Sequence, residues 1–194
     1  GNRRCGPTQV ECRRETNQTE DFELYSPSRF GMLGRPLYKP EHWDKVQQLD
    51  MWTNKEDPVM TCQPLGVPRQ GPPRRIVQTE NDIIFIYGQF PDAGGGYPEF
   101  RIVPTDNRQH APDAQYAAKY FGDTVGRWEG DTLVLDQIGF IDTTWIGRGG
   151  YFHSDQMHIV EKFRREGNAI FYDLTLEDPE VLAEPLVVPT RILR

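Results

Sequence analysis

The sequence predicts an all-β fold: an antiparallel, strongly curved sheet that closes into a barrel or stacks as a sandwich, with an irregular proline-rich wrap on its N-terminal side. Three observations carry this expectation. The 194 residues include 18 Gly and 16 Pro, well above the combined share of about 12% usual in globular chains, and long helices tolerate neither residue well. From residue 75 onward, β-branched and aromatic runs alternate with polar residues, the period of a half-buried strand. Short polar turns join those runs, so the sheet has to bury one face by closing or stacking. The length suits one domain, read as a wrap over residues 1–75 and a β domain over 76–194.

Taken in order, the wrap comes first. It holds seven prolines up to Pro68 and two more at Pro72 and Pro73, too dense for regular helix. One short helix is expected from Pro40, because Glu41 to Leu49 contains no breaker, and proline with early acidic residues suits a helix start. Cys62 to Arg69 reads as an ordered loop, since Pro64, Gly66 and Pro68 resist ladder pairing.

The strands follow. Arg75–Thr79 and Ile83–Tyr87 form a hairpin around Glu80-Asn81-Asp82, and Phe100–Val103 is a further short strand. The clearest hairpin runs Arg127–Glu129, Gly130-Asp131, Thr132–Asp136, with Gly-Asp supplying the positive-φ positions of a tight turn. His158–Phe163 and Ala169–Leu176 make another. Residues 111–121 allow one helical turn, and Gly94-Gly95-Gly96 reads as a flexible loop. A closed version of this sheet would resemble a lipocalin- or calycin-like barrel.

Charge narrows the function. The chain carries 22 Lys and Arg against 29 Asp and Glu, a net −7. Residues 76–194 hold 10 basic and 19 acidic side chains. Nucleic acid is therefore not the expected partner, because phosphate recognition needs clustered positive charge. The longest solid apolar run, Ile83 to Tyr87, falls far short of the roughly 20 residues that span a bilayer. Three cysteines, Cys5, Cys12 and Cys62, allow a disulfide plus a spare thiol but show no zinc spacing. Asn17-Gln18-Thr19 is a glycosylation tripeptide.

The stretch Gly122-Asp123-Thr124-Val125-Gly126-Arg127-Trp128-Glu129-Gly130-Asp131-Thr132-Leu133-Val134-Leu135-Asp136 resembles the pattern G-D-S-V-G-R-W-E-G-D-T-L-V-V-D of a family of exported bacterial proteins without an agreed activity. The likeness continues through Gly139-Phe140, Thr144-Trp145, Phe152-His153-Ser154-Asp155, His158 to Glu161 and Glu177-Asp178-Pro179. Upstream, Arg101 to Asp106 and the Cys62–Arg69 loop also fit. Asn107 departs from it, where the family often has Gly. The resemblance spans roughly residues 50–187; it implies export to a periplasm or exterior and a compact β-rich fold, and it implies no reaction.

Chemistry-bearing residues gather in two places. His153-Ser154-Asp155-Gln156-Met157-His158-Ile159-Val160-Glu161 packs two imidazoles, two carboxylates and a hydroxyl into nine residues. His158 and Glu161 would point to opposite faces of a strand, whereas His153 and Asp155 lie just before it, at a rim. There His153 can act as a base with Asp155 orienting it; alternatively both histidines simply hydrogen-bond backbone. The second gathering is Arg101, Asp106, Arg108, His110, Tyr120 and Asp123. Arg101 alternates with Phe100 and Ile102, so an inward guanidinium would need a carboxylate or an anionic ligand. Asp123 also suits a turn. Trp145, Tyr151 and Phe152 flank these groups as candidate walls of a ligand pocket, while Trp128 reads as core. No G-x-S-x-G elbow supports a serine hydrolase, and Cys62 lacks an electropositive partner beyond Arg69.

These readings predict a small exported enzyme performing acid–base chemistry of lyase, isomerase or cyclase type, with no organic cofactor and no metal. Its substrate would be a small aromatic, terpenoid or glycosidic molecule held in a barrel cavity. His153, Asp155, His158, Tyr120 and Arg101 are the expected catalytic groups, and Asp123, His110, Trp145, Tyr151 and Phe152 the expected substrate contacts. A non-catalytic barrel that binds a small molecule is the alternative. A third reading uses the proline-rich wrap to bind a partner. The sequence sets neither substrate nor oligomeric state.

Overall fold

The computed structural model describes residues 36–49, 56–87, 99–147 and 150–193. Cys5, Cys12, the Asn17 tripeptide, Gly94 to Gly96 and most of the N-terminal wrap lie outside these residues. The described part is mostly β with antiparallel sheets and one short α-helix, α1 (Trp43–Gln48), entered through a 3-10 turn at Pro40–His42. No helix among the described residues is long and apolar enough to cross a membrane.

Ten strands follow: β1 (Arg75–Gln78), β2 (Asp82–Ile86), β3 (Phe100–Pro104), β4 (Asp123–Glu129), β5 (Thr132–Ile138), β6 (Trp145–Gly147), β7 (Tyr151–Phe152), β8 (His158–Glu166), β9 (Ala169–Glu177) and β10 (Leu186–Leu193). They make a three-stranded sheet β1-β2-β3, a five-stranded sheet β10-β9-β8-β5-β4, and the small pair β6-β7. Among the described residues these ladders stay separate and form no closed barrel. Residues 111–121 contain a run of turns with a single four-residue closure, Ala117 N–H to the Asp113 carbonyl.

The inner faces of the two larger sheets pack on each other. Phe85 of β2 meets Phe163 of β8 with ring centroids 5.2 Å apart, and Phe163 stacks on Tyr172 of β9 at 4.7 Å. Gly126 of β4 lets β3 come close: a Cβ there would lie 3.1 Å from the Val103 side chain and 3.1 Å from the Pro104 carbonyl. The space expected to hold a ligand is thus filled by side chains, with Phe85, Val103, Leu135 and Ile159 fully buried. The N-terminal segment also enters the core. Tyr38 is buried, stacks on Phe152 at 4.9 Å, and donates its hydroxyl to the Phe152 carbonyl at 2.6 Å.

Two local features depend on residue type. Asn107 takes φ +62°, a conformation that Asn reaches at little cost and at the position where the resembled pattern often has Gly. In β10, pairing to β9 is continuous at Val188 and resumes at Arg191, with Pro189 inside the irregularity. An edge strand accepts proline there because no ladder hydrogen bond is lost.

Candidate functional site

The five-stranded sheet carries a polar network on each face. Along β5 and β8, Gln137 and Glu161 turn inward while Asp136 and His158 turn outward, the alternation of a pleated strand.

The inner network joins the two sheets. Arg101 of β3 donates through Nη2 to Glu161 Oε2 at 2.7 Å and through Nη1 to Gln137 Oε1. Gln137 Nε2 donates to the same Glu161 oxygen at 2.7 Å, and the Tyr172 hydroxyl donates to Oε1 at 2.7 Å. The guanidinium lies over the Phe85 ring, 4.9 Å from its centroid. Burial opposes the charge on Arg101, but the Glu161 carboxylate together with Tyr87 and Tyr172 outweighs it and the pKa is raised; burial also pushes the Tyr172 phenol up. Both charged side chains are almost wholly buried. This network secures the core, so Arg101 meets its carboxylate rather than a ligand.

The outer network sits at the end of the sheet away from the hairpin turns. Asp123 begins β4, Asp136 nears the end of β5, His158 begins β8 and Glu177 ends β9. The loop after β3 lays His110 across them. His110 Nδ1 lies 2.9 Å from Asp123 Oδ2, and its Nε2 lies 3.0 Å from Asp136 Oδ1. His158 Nε2 reaches that same Asp136 oxygen at 3.1 Å, and its Nδ1 is 3.8 Å from Glu177 Oε2. Lys119 Nζ approaches Asp123 Oδ1 at 3.4 Å. The side chains of His110, Asp136 and His158 are 20%, 31% and 33% exposed, so solvent and a small molecule can reach them.

The electrostatics follow from these contacts. The hydrogen bond to Asp136 raises the His158 pKa against the opposing effect of burial. The His158 bond, partly offset by burial and reinforced by His110, holds the Asp136 carboxyl at about 2. Burial pushes Asp123 up, but the His110 contact, the Ala111 amide and Lys119 together hold it below its usual value. Gly139 fixes the loop that brings His110 in: it has φ +69°, and a Cβ there would lie 2.0 Å from the Ala114 carbonyl oxygen. Among the described residues no group of three or more His, Cys, Asp and Glu side chains has metal-holding geometry.

Of the residues predicted to act together, His110, Asp123 and His158 meet in this cluster. His153 does not join them. It is buried, its Nδ1 donates to the Ser154 carbonyl at 2.7 Å, and its Nε2 therefore accepts from the Thr144 hydroxyl at 2.7 Å. Burial lowers its pKa, so it sits in the core as a neutral ring. The predicted pairing of Asp155 with His153 is not formed: Asp155 is exposed, and its carboxylate accepts from the Gln156 side chain at 2.9 Å. Asp178 instead orders this corner, accepting from the Ser154 amide and hydroxyl and from the Val181 amide.

Trp145, Tyr151 and Phe152 are buried in the core rather than lining an open pocket. Tyr120 is half-buried in the turn before β4, and no hydrogen bond joins its phenol to either network. Trp128, expected in the core, is 44% exposed; it pairs with Leu133 beside the hairpin turn, on the edge strand of the five-stranded sheet. Cys62 is free and exposed.

Sequence reasoning missed Asp136, Gln137 and Glu177. A usable signal existed. Counting outward from the turns at Gly130-Asp131 and Gly167-Asn168 puts Asp123, Asp136, His158 and Glu177 together at the open ends of two hairpins. No family model, curated protein or solved structure matches this chain, so the site is read from its geometry.

Proposed function

We propose that the chain is an acid–base enzyme, of lyase, isomerase or cyclase type, acting on a small molecule where His110, Asp136 and His158 meet. The observation that carries this reading is the single Asp136 oxygen placed within 3.1 Å of a nitrogen on each of two partly exposed imidazoles. A carboxylate so placed orients both rings and stabilises the charge that appears when either takes a proton. One imidazole can remove a proton from the substrate and the other, as imidazolium, can return one to a different atom. Such a transfer gives an isomerisation, or an elimination when a leaving group departs instead. Small aromatic, terpenoid or glycosidic molecules are the substrate class of this reading, approaching from the outer rim.

The same reading takes the two facing sheets as an open sandwich and, on the strength of the Gly122–Asp136 pattern, the chain as an exported protein. Its test is a panel of such substrates assayed for lyase and isomerase turnover. His158→Gln should lower any turnover by about 100-fold or more, the usual scale of a lost proton-transfer group. His153→Gln, assayed on its folded fraction, should stay near wild type. Undiminished turnover in His158→Gln would overturn the assignment.

A second observation favours a non-catalytic binding function. A shallow depression of about 610 Å³ at the hairpin-turn end is lined by Gln78, Trp128, Gly130, Asp131, Arg165 and Gly167. It offers an exposed indole beside a carboxylate, a guanidinium and an amide, the mixture found where small molecules are held. Binding that survives His158→Gln and is lost in Trp128→Ala would establish this function in place of catalysis.

A further inference from the structure

The outward face of the β1-β2-β3 sheet is unusually apolar for a surface. Ile83 and Phe85 turn inward, so their neighbours turn out, and the pairing register aligns the outward residues in rows across the strands. Val77, Ile84 and Ile102 form the middle row; Arg75, Ile86 and Phe100 form the row at one end. Phe100 is 64% exposed, Ile102 54% and Val77 38%. Together they leave roughly 300 Å² of apolar surface in one patch, the size of the largest patch on many monomers, which is often functional.

The charges around the patch select its occupant. Arg74 and Arg75 stand at one end of the strands, and Glu80 and Asp82 at the other, with Arg75 and Glu80 both exposed. Neither Arg75 nor Glu80 has an ion-pair partner among the described residues. A twofold axis lying in the interface along the Val77–Ile84–Ile102 row keeps each strand over its own copy and reverses its direction. It therefore lays the Arg74–Arg75 end of the strands over the Glu80–Asp82 end of the second copy, with Arg75 above Thr79 and one residue from Glu80, sets Phe100 against Pro104 of the second copy, and packs the middle row on itself. This is the isologous arrangement of a closed dimer, in which one patch is its own complement. An interface of about 800 Å² per partner would then have an apolar centre and a charged rim, the usual anatomy.

We propose that the outward face of the β1-β2-β3 sheet is a twofold interface between two copies of this chain. The test is sedimentation equilibrium of the full chain, up to about 100 µM. Wild type should approach twice the 22.4 kDa chain mass. Phe100→Asp combined with Ile102→Asp should sediment as a monomer with an unchanged far-ultraviolet circular dichroism spectrum. Arg75→Glu and Glu80→Arg should each weaken association by about tenfold, and the two together should restore it, because the swap rebuilds the complement. If the Asp variant fails to fold, the charge swap decides alone, since both positions are exposed. A wild type that stays monomeric at 100 µM, a dimer indifferent to these four changes, or single reversals that the double does not rescue would each overturn the proposal.

Discussion

Two polar networks back onto one sheet, and their contrast is instructive. On the inner face, Arg101, Gln137, Glu161 and Tyr172 bond to one another in the buried core, with Arg101 Nε left without a partner among the described residues. On the outer face, His110, Asp123, Asp136 and His158 make contacts of similar length while staying partly wet. Residues next to each other in sequence, Asp136 and Gln137, belong to different networks because the strand alternates. The inner group is closed off and contributes order; the outer group, with His110 20% and His158 33% exposed, is open to solutes. The presence of a histidine or an arginine thus says little until the face it occupies is known.

The largest effect should come from breaking the inner network. Arg101→Met leaves Glu161 buried without its cation, and urea denaturation should register a loss of about 3–5 kcal/mol. Adding Glu161→Leu to it should recover much of that loss; a double variant no better than the single would mean the charge pair is not what the core depends on. His153→Ala comes next, at about 1–3 kcal/mol, because the Thr144 hydroxyl and Ser154 carbonyl lose their buried partner. By contrast His158→Gln should change stability by less than about 1 kcal/mol, as half-exposed pairs usually do. If it unfolded the chain, the distinction between the two faces would fail.

A finer comparison uses pH. His153 has a folded pKa below its unfolded value, so the unfolded chain binds more protons and stability falls as pH drops below about 6.5. His158 has a folded pKa above its unfolded value. Its contribution is complete below about 6.5 and is lost as pH rises through the raised value. Asp136 adds stability above its unfolded range that disappears as pH falls through about 2. Stability curves of His153→Gln and His158→Gln, subtracted from wild type, should therefore slope in opposite directions around pH 6 to 7. Parallel curves would show that the two rings share an environment.

Much of the strand pattern was legible. The hairpins at 75–87, 127–136 and 158–176 followed from alternation and turn chemistry, and the helix after Pro40 from its start signals. Three strands were not. β6 and β7 span three and two residues, too short for periodicity to register. β10 contains Pro189, which argues against a central strand but is harmless on an edge. The site was half legible: His110, Asp123 and His158 stood out by residue type, but their common partner Asp136 looked like one more residue of a hairpin. His153 misled because the residues that follow it, Ser154, Asp155 and Gln156, are polar, whereas its spatial neighbours are Phe140 and the Thr144 side chain. Arg101 could be placed inward by alternation, yet its carboxylate lies sixty residues away along the chain, a separation no local pattern reveals.

The interrupted ladder of β10 has a consequence for how molecules meet. At positions 188 to 191 the outer rim of the five-stranded sheet offers a newcomer no unbroken row of amides and carbonyls, and the exposed ring of Pro189 stands in the way. Strand-by-strand growth into fibres is discouraged at that border. Contact at that border is left to side chains rather than to a shared ladder.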